Sequence, residues 1–338
     1  MQIKIGFGSG KVASPGRSAG KKNVPTARKE RLGAVKEAGP GRVEALLKDL
    51  DKLIGLANVK ELVKEIRAYV EIQKRRQAEG LVVSPMSLHM IFKGNPGTGK
   101  STVARLLGRL FKELGLLTHG HLVEVERADL VGEYIGHTAH KTREQLRKAV
   151  GGILFIDEAY SLARGGEKDF GREAIDVLVK GMEDHRDNLI LILAGYKEEM
   201  EYFLETNPGL RSRFAIHLEF PDYSVDELLS IAELMLKERQ YFLTPEARSE
   251  LERILRREAV FGHRYNGNAR LARNLVEKAV RRQAVRLMGR AVLTREDLMA
   301  ITREDLVGLG GNRQPRSNLR PVGANLQEPC HICYNDPS

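Results

Sequence analysis

Short, nearly uninterrupted apolar runs alternate along this chain with longer stretches in which apolar residues recur at helical spacing. Residues 88–93, 153–156 and 188–196 are runs of the first kind, and their length predicts strands buried on both faces of a sheet. Residues 121–126 alternate apolar and polar, and 215–220 supply a fifth strand. Residues 43–50 form an amphipathic segment. Residues 58–79 carry Val59, Leu62, Val63, Ile66, Tyr69 and Val70 on one helical face, with Asn58 as the expected N-cap. Further helices are predicted over 102–110 and 172–184. This order predicts an α/β domain over residues 44–221, a parallel sheet flanked by helices.

The strand pattern stops at Pro221-Asp222. Ser224 with Glu227 reads as a capping box, and Thr244-Pro245 opens another helix. Gly267-Asn268-Ala269-Arg270 leads into a long basic helix that ends near Arg290, and Thr294 starts a short one. The expectation is a small all-helical domain over 222–306.

Chemistry enters at Gly94-Asn95-Pro96-Gly97-Thr98-Gly99-Lys100-Ser101, which fits G-x-x-x-x-G-K-[ST] between a predicted strand and a predicted helix. Glycines let the backbone turn its N–H groups onto phosphate oxygens, and the following helix presents its positive end to the same anion. The phosphate-facing stretch runs through Asn95, Pro96, Gly97, Thr98, Gly99, Lys100, Ser101 and Thr102. Lys100 is expected to reach the β- and γ-phosphates of ATP, and Ser101 to hold Mg²⁺. The strand 153–156 ends in Asp157-Glu158. Ligands gather at the C-terminal edge of parallel strands, so Asp157 is the expected second magnesium residue and Glu158 the group that polarises the attacking water. Ile54-Gly55 suits a place where main chain meets a flat base such as adenine.

Two arginines extend this site. Arg213, in Ser212-Arg213-Phe214, is expected to reach the γ-phosphate of a neighbouring subunit if it faces outward; Arg211 fits that role less well. Arg270, at the start of a helix in the second domain, can reach the same phosphate within its own chain. Residues 127–138 read as a polar loop punctuated by glycine, with Tyr134, Ile135 and Gly136 at its tip, either exposed or with Tyr134 folded back on the core.

Charge and composition change this picture little. The chain has 338 residues and a net charge of +10, but residues 1–42 hold ten basic residues against two acidic ones. Nearly all the excess therefore lies in one segment. Residues 1–43 are read as a basic disordered tail, too poor in bulky apolar residues to offset the entropy of ordering, and 307–338 as a flexible C-terminal tail. No apolar run approaches the ~20 residues that span a membrane, and no secretory signal is recognisable. Both cysteines, Cys330 and Cys333, lie near the C-terminus, which makes the cytoplasm the expected compartment. With His331 they supply only three of the four ligands a zinc site needs, so the stretch reads as an inert tail, the alternatives being a metal half-site completed by another subunit or a redox pair.

These motifs together resemble the AAA+ ATPases of the CbbX/CfxQ group. The resemblance rests on the phosphate loop, on Ala128-Asp129-Leu130-Val131-Gly132-Glu133-Tyr134-Ile135-Gly136-His137-Thr138 and on Leu154-Phe155-Ile156-Asp157-Glu158-Ala159-Tyr160-Ser161-Leu162. Asp169-Phe170-Gly171, Ile192-Leu193-Ala194-Gly195-Tyr196 and Asn207-Pro208-Gly209 carry it further. It covers about residues 44–305. It implies a ring homo-oligomer, usually a hexamer, with ATP bound between subunits, and an unidentified protein substrate. No membrane partner is expected for want of a long apolar run, and nucleic acid is disfavoured because the body of the chain shows no helix-turn-helix and no aromatic-basic interleaving. The resemblance also places Tyr134 and Ile135 in a central pore as a loop that grips polypeptide, and implies a sporulation setting. The polar sensor after the fourth strand, usually Asn, Asp, Ser or Thr, falls here to Tyr196. The rival reading is a nucleotide-switched scaffold or DNA-associated factor that uses the basic N-terminal tail.

Overall fold

The computed structural model describes residues 40–83, 86–134, 136–164, 169–261 and 267–309. Ile135, Cys330, His331, Cys333 and the two tails expected at 1–43 and 307–338 lie wholly or mostly outside these residues.

Helices α1 (Pro40–Asp51) and α2 (Ala57–Ala78) come first. The first strand, β1 (Met90–Gly94), runs through the phosphate loop into α3 (Lys100–Glu113). Strand β2 (Leu122–Val125) is followed by a single helical turn, α4 (Arg127–Leu130), and by α5 (His137–Ala149). Next come β3 (Ile153–Ile156), a 3₁₀ turn at Ala159–Ala163 and α6 (Gly171–Asp184). Strand β4 (Ile190–Gly195), α7 (Lys197–Thr206), α8 (Pro208–Arg211) and β5 (Ile216–Phe220) complete this part.

The five strands lie in the order β2-β3-β4-β1-β5 and are all parallel, with Met90 level with Ile192 on one side and Ile216 on the other. Successive side chains point to opposite faces. Met90, Phe92, Phe155 and Ile192 pack with α1, α2 and α3, whereas Ile91, Leu154, Ile156 and Leu193 pack with α5, α6 and α7. Both faces are covered, which is why the strands read as continuous apolar runs. Because the strands are parallel, Gly94, Asp157, Tyr196 and Phe220 all emerge at one edge of the sheet.

The second part packs α9 (Val225–Glu238), α10 (Pro245–Phe261) and α11 (Asn268–Met288) around its own apolar cluster. The capping box at Ser224 and Glu227 is formed, and Thr294 caps α12 (Arg295–Met299). This region is helical with one addition. Strand β6 (Phe242–Leu243) pairs in parallel with β7 (Ala300–Ile301) ahead of α13 (Arg303–Leu306).

Three local expectations are corrected. Asn58 is not an N-cap: that position falls to Leu56, in the left-handed region at φ 56°. Asn58 instead donates through Nδ2 to the Glu219 carbonyl at 2.6 Å, tying α2 to β5. Residues 127–138 are not all loop, since α4 opens with a capping box between Glu126 and Asp129. The predicted turn at 207–214 contains the helical turn α8, with Pro208 at its first position.

Candidate nucleotide site

The phosphate loop owes its shape to two glycines in the left-handed region, Gly97 at φ 77° and Gly99 at φ 99°. Thr98, fully buried between them, donates its hydroxyl to the Asn95 carbonyl at 2.8 Å. Helix α3 begins at Lys100, with Ser101 and Thr102 in its first turn. The first N–H groups of a helix have no partner within it, so the loop and this helix end turn backbone donors toward one spot. Lys100 Nζ donates to the carbonyls of Gly94 at 2.7 Å and Asn95 at 2.9 Å.

The charges acting on Lys100 delimit the site. Burial pushes its ammonium below the usual lysine range, opposed by Asp157; Arg270 adds to the lowering, while Asp222 and Glu158 also oppose it. Asp157 follows β3 and accepts the Glu158 N–H at 3.0 Å. Glu158 stands exposed in the left-handed region at φ 46°. Tyr196 follows Gly195, which is level with Lys93. Its ring lies 6.0 Å from that of Tyr160, over which the Arg164 guanidinium sits at 4.5 Å. The oxygen donors of Ser101 and Asp157 fit Mg²⁺, which takes few protein ligands and completes its shell with water and phosphate.

The second part of the chain closes on the loop from above. Ala269 N–H donates to the Gly97 carbonyl at 3.1 Å, and a Cβ at Gly97 would stand 2.4 Å from the Gly267 carbonyl oxygen. Arg270 sits one residue further, in the first turn of α11. Sequence reasoning missed the residues that hold this closure. Asp222 accepts Asn95 Nδ2 at 2.9 Å and the Nδ2 of Asn268 at 2.8 Å. Asn268, 1 % exposed and at φ 43°, also accepts the Tyr223 N–H at 3.0 Å. Tyr223 donates its hydroxyl to the Thr98 carbonyl at 3.1 Å. The signal was present in part, because Asn tolerates the left-handed region better than most residues and Asn268 follows a glycine. Ile54 and Gly55 border the same junction: a Cβ at Gly55 would lie 2.8 Å from Glu227 Oε1 and 3.5 Å from the Tyr223 ring.

Two expected residues lie elsewhere. Arg213 precedes β5, whose first residue, Ile216, is level with Met90. Its carbonyl accepts the Ser87 hydroxyl at 3.3 Å, just ahead of β1. It therefore stands at the N-terminal edge of the sheet, a strand length of about 16 Å from its own phosphate loop. Tyr134 is 66 % exposed and is not folded back on the core. Its ring lies edge-on to His137 at 5.4 Å, and Gly136, at φ 82°, is the N-cap of α5.

Residues 90–222 match the family described as "ATPase family associated with various cellular activities (AAA)", and residues 224–315 match "AAA lid domain". The chain belongs to the AAA ATPases, in the CbbX/CfxQ group. It is 53 % identical to "Stage V sporulation protein K" of Bacillus subtilis, over 80 % of this chain and 84 % of that protein. It is 49 % identical to the plasmid "Protein CbxX" of Cupriavidus necator, over 78 % and 84 %. To the chloroplastic "Ribulose bisphosphate carboxylase/oxygenase activase" of Cyanidioschyzon merolae it is 47 % identical, over 79 % and 92 %. The chain is accordingly an ATPase that binds ATP. No helix among the described residues is long and apolar enough to cross a membrane.

Proposed function

We propose that this ATPase works as a ring, a hexamer, that pulls on a protein target in the cytoplasm of a sporulating cell. The α/β domain over 44–221 and the lid over 222–306 form the motor unit, flanked by tails over 1–43 and 307–338. Asn95 through Thr102 cradle the phosphates, with Lys100 on the β- and γ-phosphates and Ile54-Gly55 against the adenine. Ser101 and Asp157 hold Mg²⁺, which when bound neutralises charge on the phosphates. Glu158 orients the attacking water and accepts its proton. Arg270 stabilises the transferring phosphoryl group from within the chain, Arg213 does so from the next subunit, and Tyr196 senses the phosphate. Residues 134–136 grip the target. The sporulation setting is supported by the name of the Bacillus subtilis relative.

One observation carries the ring. Arg213 and Lys100 stand at opposite edges of one parallel sheet, so Arg213 cannot serve its own site without unfolding β5. An arginine finger is worth ~10³–10⁵ in rate, so losing it is easily detected. The test is ATPase rate per chain against protein concentration for wild type, Arg213→Ala and Tyr134→Ala. The rate should rise with concentration, collapse in Arg213→Ala and survive in Tyr134→Ala. A rate indifferent to both concentration and Arg213 would remove the shared site and the ring with it.

A further inference from the structure

We propose that Glu183 is the positioning residue of Arg213: it holds the guanidinium by its inner edge so that the outer edge is presented to a neighbour's phosphate. This rests on the reading of Arg213 as a residue acting between subunits.

Arg213 is fixed at every joint. Its N–H donates to the Leu210 carbonyl at 3.0 Å and its own carbonyl accepts Ser87 at 3.3 Å. The next residue, Phe214, is 1 % exposed and its ring lies 5.9 Å from that of His89, tilted by 53°. The backbone under the arginine is therefore anchored in the core. Along the side chain, Nη1 donates to the Gly209 carbonyl at 2.9 Å and Nε to Glu183 Oε1 at 3.1 Å. Guanidinium presents five N–H groups in a rigid fork. These two bonds use one hydrogen each on Nε and Nη1. They leave both Nη2 hydrogens and one Nη1 hydrogen bonded to no described residue, and these two terminal nitrogens are the pair that takes phosphate end-on.

Glu183 has no evident local reason to be acidic. It lies in the last turn of α6, which carries no basic residue. Carboxylates are disfavoured there, because the helix dipole presents its negative end. The ion pair is exposed, with the two side chains at 37 % and 57 %, and exposed pairs contribute little to folding stability. His89, the nearby titratable group that feels the Glu183 charge, is held neutral by burial, with its pKa lowered to about 4. It does not compete with Arg213 for the carboxylate at neutral pH. An acid that costs its helix, adds little to the fold and grips the inner edge of an outward-facing arginine is accounted for by orientation.

The test is steady-state hydrolysis of radiolabelled ATP by the full chain, at concentrations where the rate per chain has reached its plateau. Glu183→Ala should lower kcat by about tenfold to a hundredfold and leave KM within about twofold, as expected when a reacting group is misplaced by ~1 Å. Glu183→Gln, which keeps an oxygen acceptor in the same place, should recover most of the loss. Arg213→Ala should lose more than either. In the Arg213→Ala background, Glu183→Ala should have no further effect, because there is nothing left to position. All variants should melt with the wild type.

Two results would overturn the proposal: a Glu183→Ala loss that persists at the same factor without Arg213, or an unchanged kcat in Glu183→Ala while Arg213→Ala is impaired. A wild-type rate in Arg213→Ala would instead sink the reading on which it rests.

Discussion

Asn268 and Asp222 are joined by a 2.8 Å hydrogen bond across the junction between the two halves of the ATPase, and the same carboxylate takes Asn95 from the phosphate loop. Three segments far apart in sequence therefore meet on one side chain. Asp222→Ala removes the charged, shorter-range acceptor of the buried Asn268 amide and leaves it the Pro96 carbonyl at 3.4 Å. A hydrogen bond to a charged group contributes about 1.5–3 kcal/mol. The variant should melt several degrees lower and bind a fluorescent ATP analogue more weakly. Asp222→Asn, which keeps one acceptor oxygen, should fall between. Wild-type affinity in Asp222→Ala would mean that the closure does not serve nucleotide binding.

Gly97 tests the same closure from the loop side. An added methyl would meet the Gly267 carbonyl at 2.4 Å, and the residue already sits at φ 77°. The left-handed conformation alone costs a side-chain-bearing residue roughly 1–2 kcal/mol. Gly97→Ala should therefore abolish ATP binding, measured by calorimetry, while circular dichroism shows the α/β core still folded. The core persists because the strands behind the loop do not depend on that contact.

Glu158→Gln separates binding from turnover. The amide keeps the size of the side chain but cannot accept the proton of the attacking water. ATP should bind as in wild type, and phosphate release should fall by at least ~10², in the range of a lost general base. Unimpaired turnover would remove Glu158 from this role.

His89 makes stability depend on pH. Its Nδ1 accepts the Leu191 N–H at 3.0 Å, and burial, partly offset by the charge of Glu183, lowers its pKa from 6.5 to about 4. Between those values the unfolded chain binds a proton that the folded chain does not. Stability from this group is thus complete above pH 6.5 and is lost as pH falls toward 4, by about 3 kcal/mol in all. His89→Asn, whose Oδ1 can take the place of Nδ1, should flatten the urea-measured stability curve over that window. An unchanged slope would assign the pH dependence to other groups.

Much of this architecture is legible in the sequence because strands covered on both faces must be apolar throughout, and the phosphate loop lies between one such strand and a helix. Helix α5 escaped because its buried stripe is Thr138, Thr142, Leu146 and Ala149. The two threonines are buried with their hydroxyls bonded to Gly132 and Leu130, so the inner face looks polar on paper. The β6–β7 pair is two residues long on each side, too short for any period to register. The Asp222 closure is invisible for another reason. Its partners are 127 and 46 residues away, and no local pattern reports a contact of that kind.

The parallel sheet has one consequence for assembly. It puts the phosphate loop and Arg213 at opposite poles of the α/β domain. A contact that joins them is heterologous, head to tail, and leaves two different surfaces free at the ends of any open chain. On the proposed reading of Arg213, such a chain has one terminal subunit whose ATP faces solvent with no arginine opposite. Only closure removes that defective end. If the proposed ring holds, turnover per subunit gauges the fraction of sites completed by a neighbour, and that fraction reaches one only when every assembly has closed.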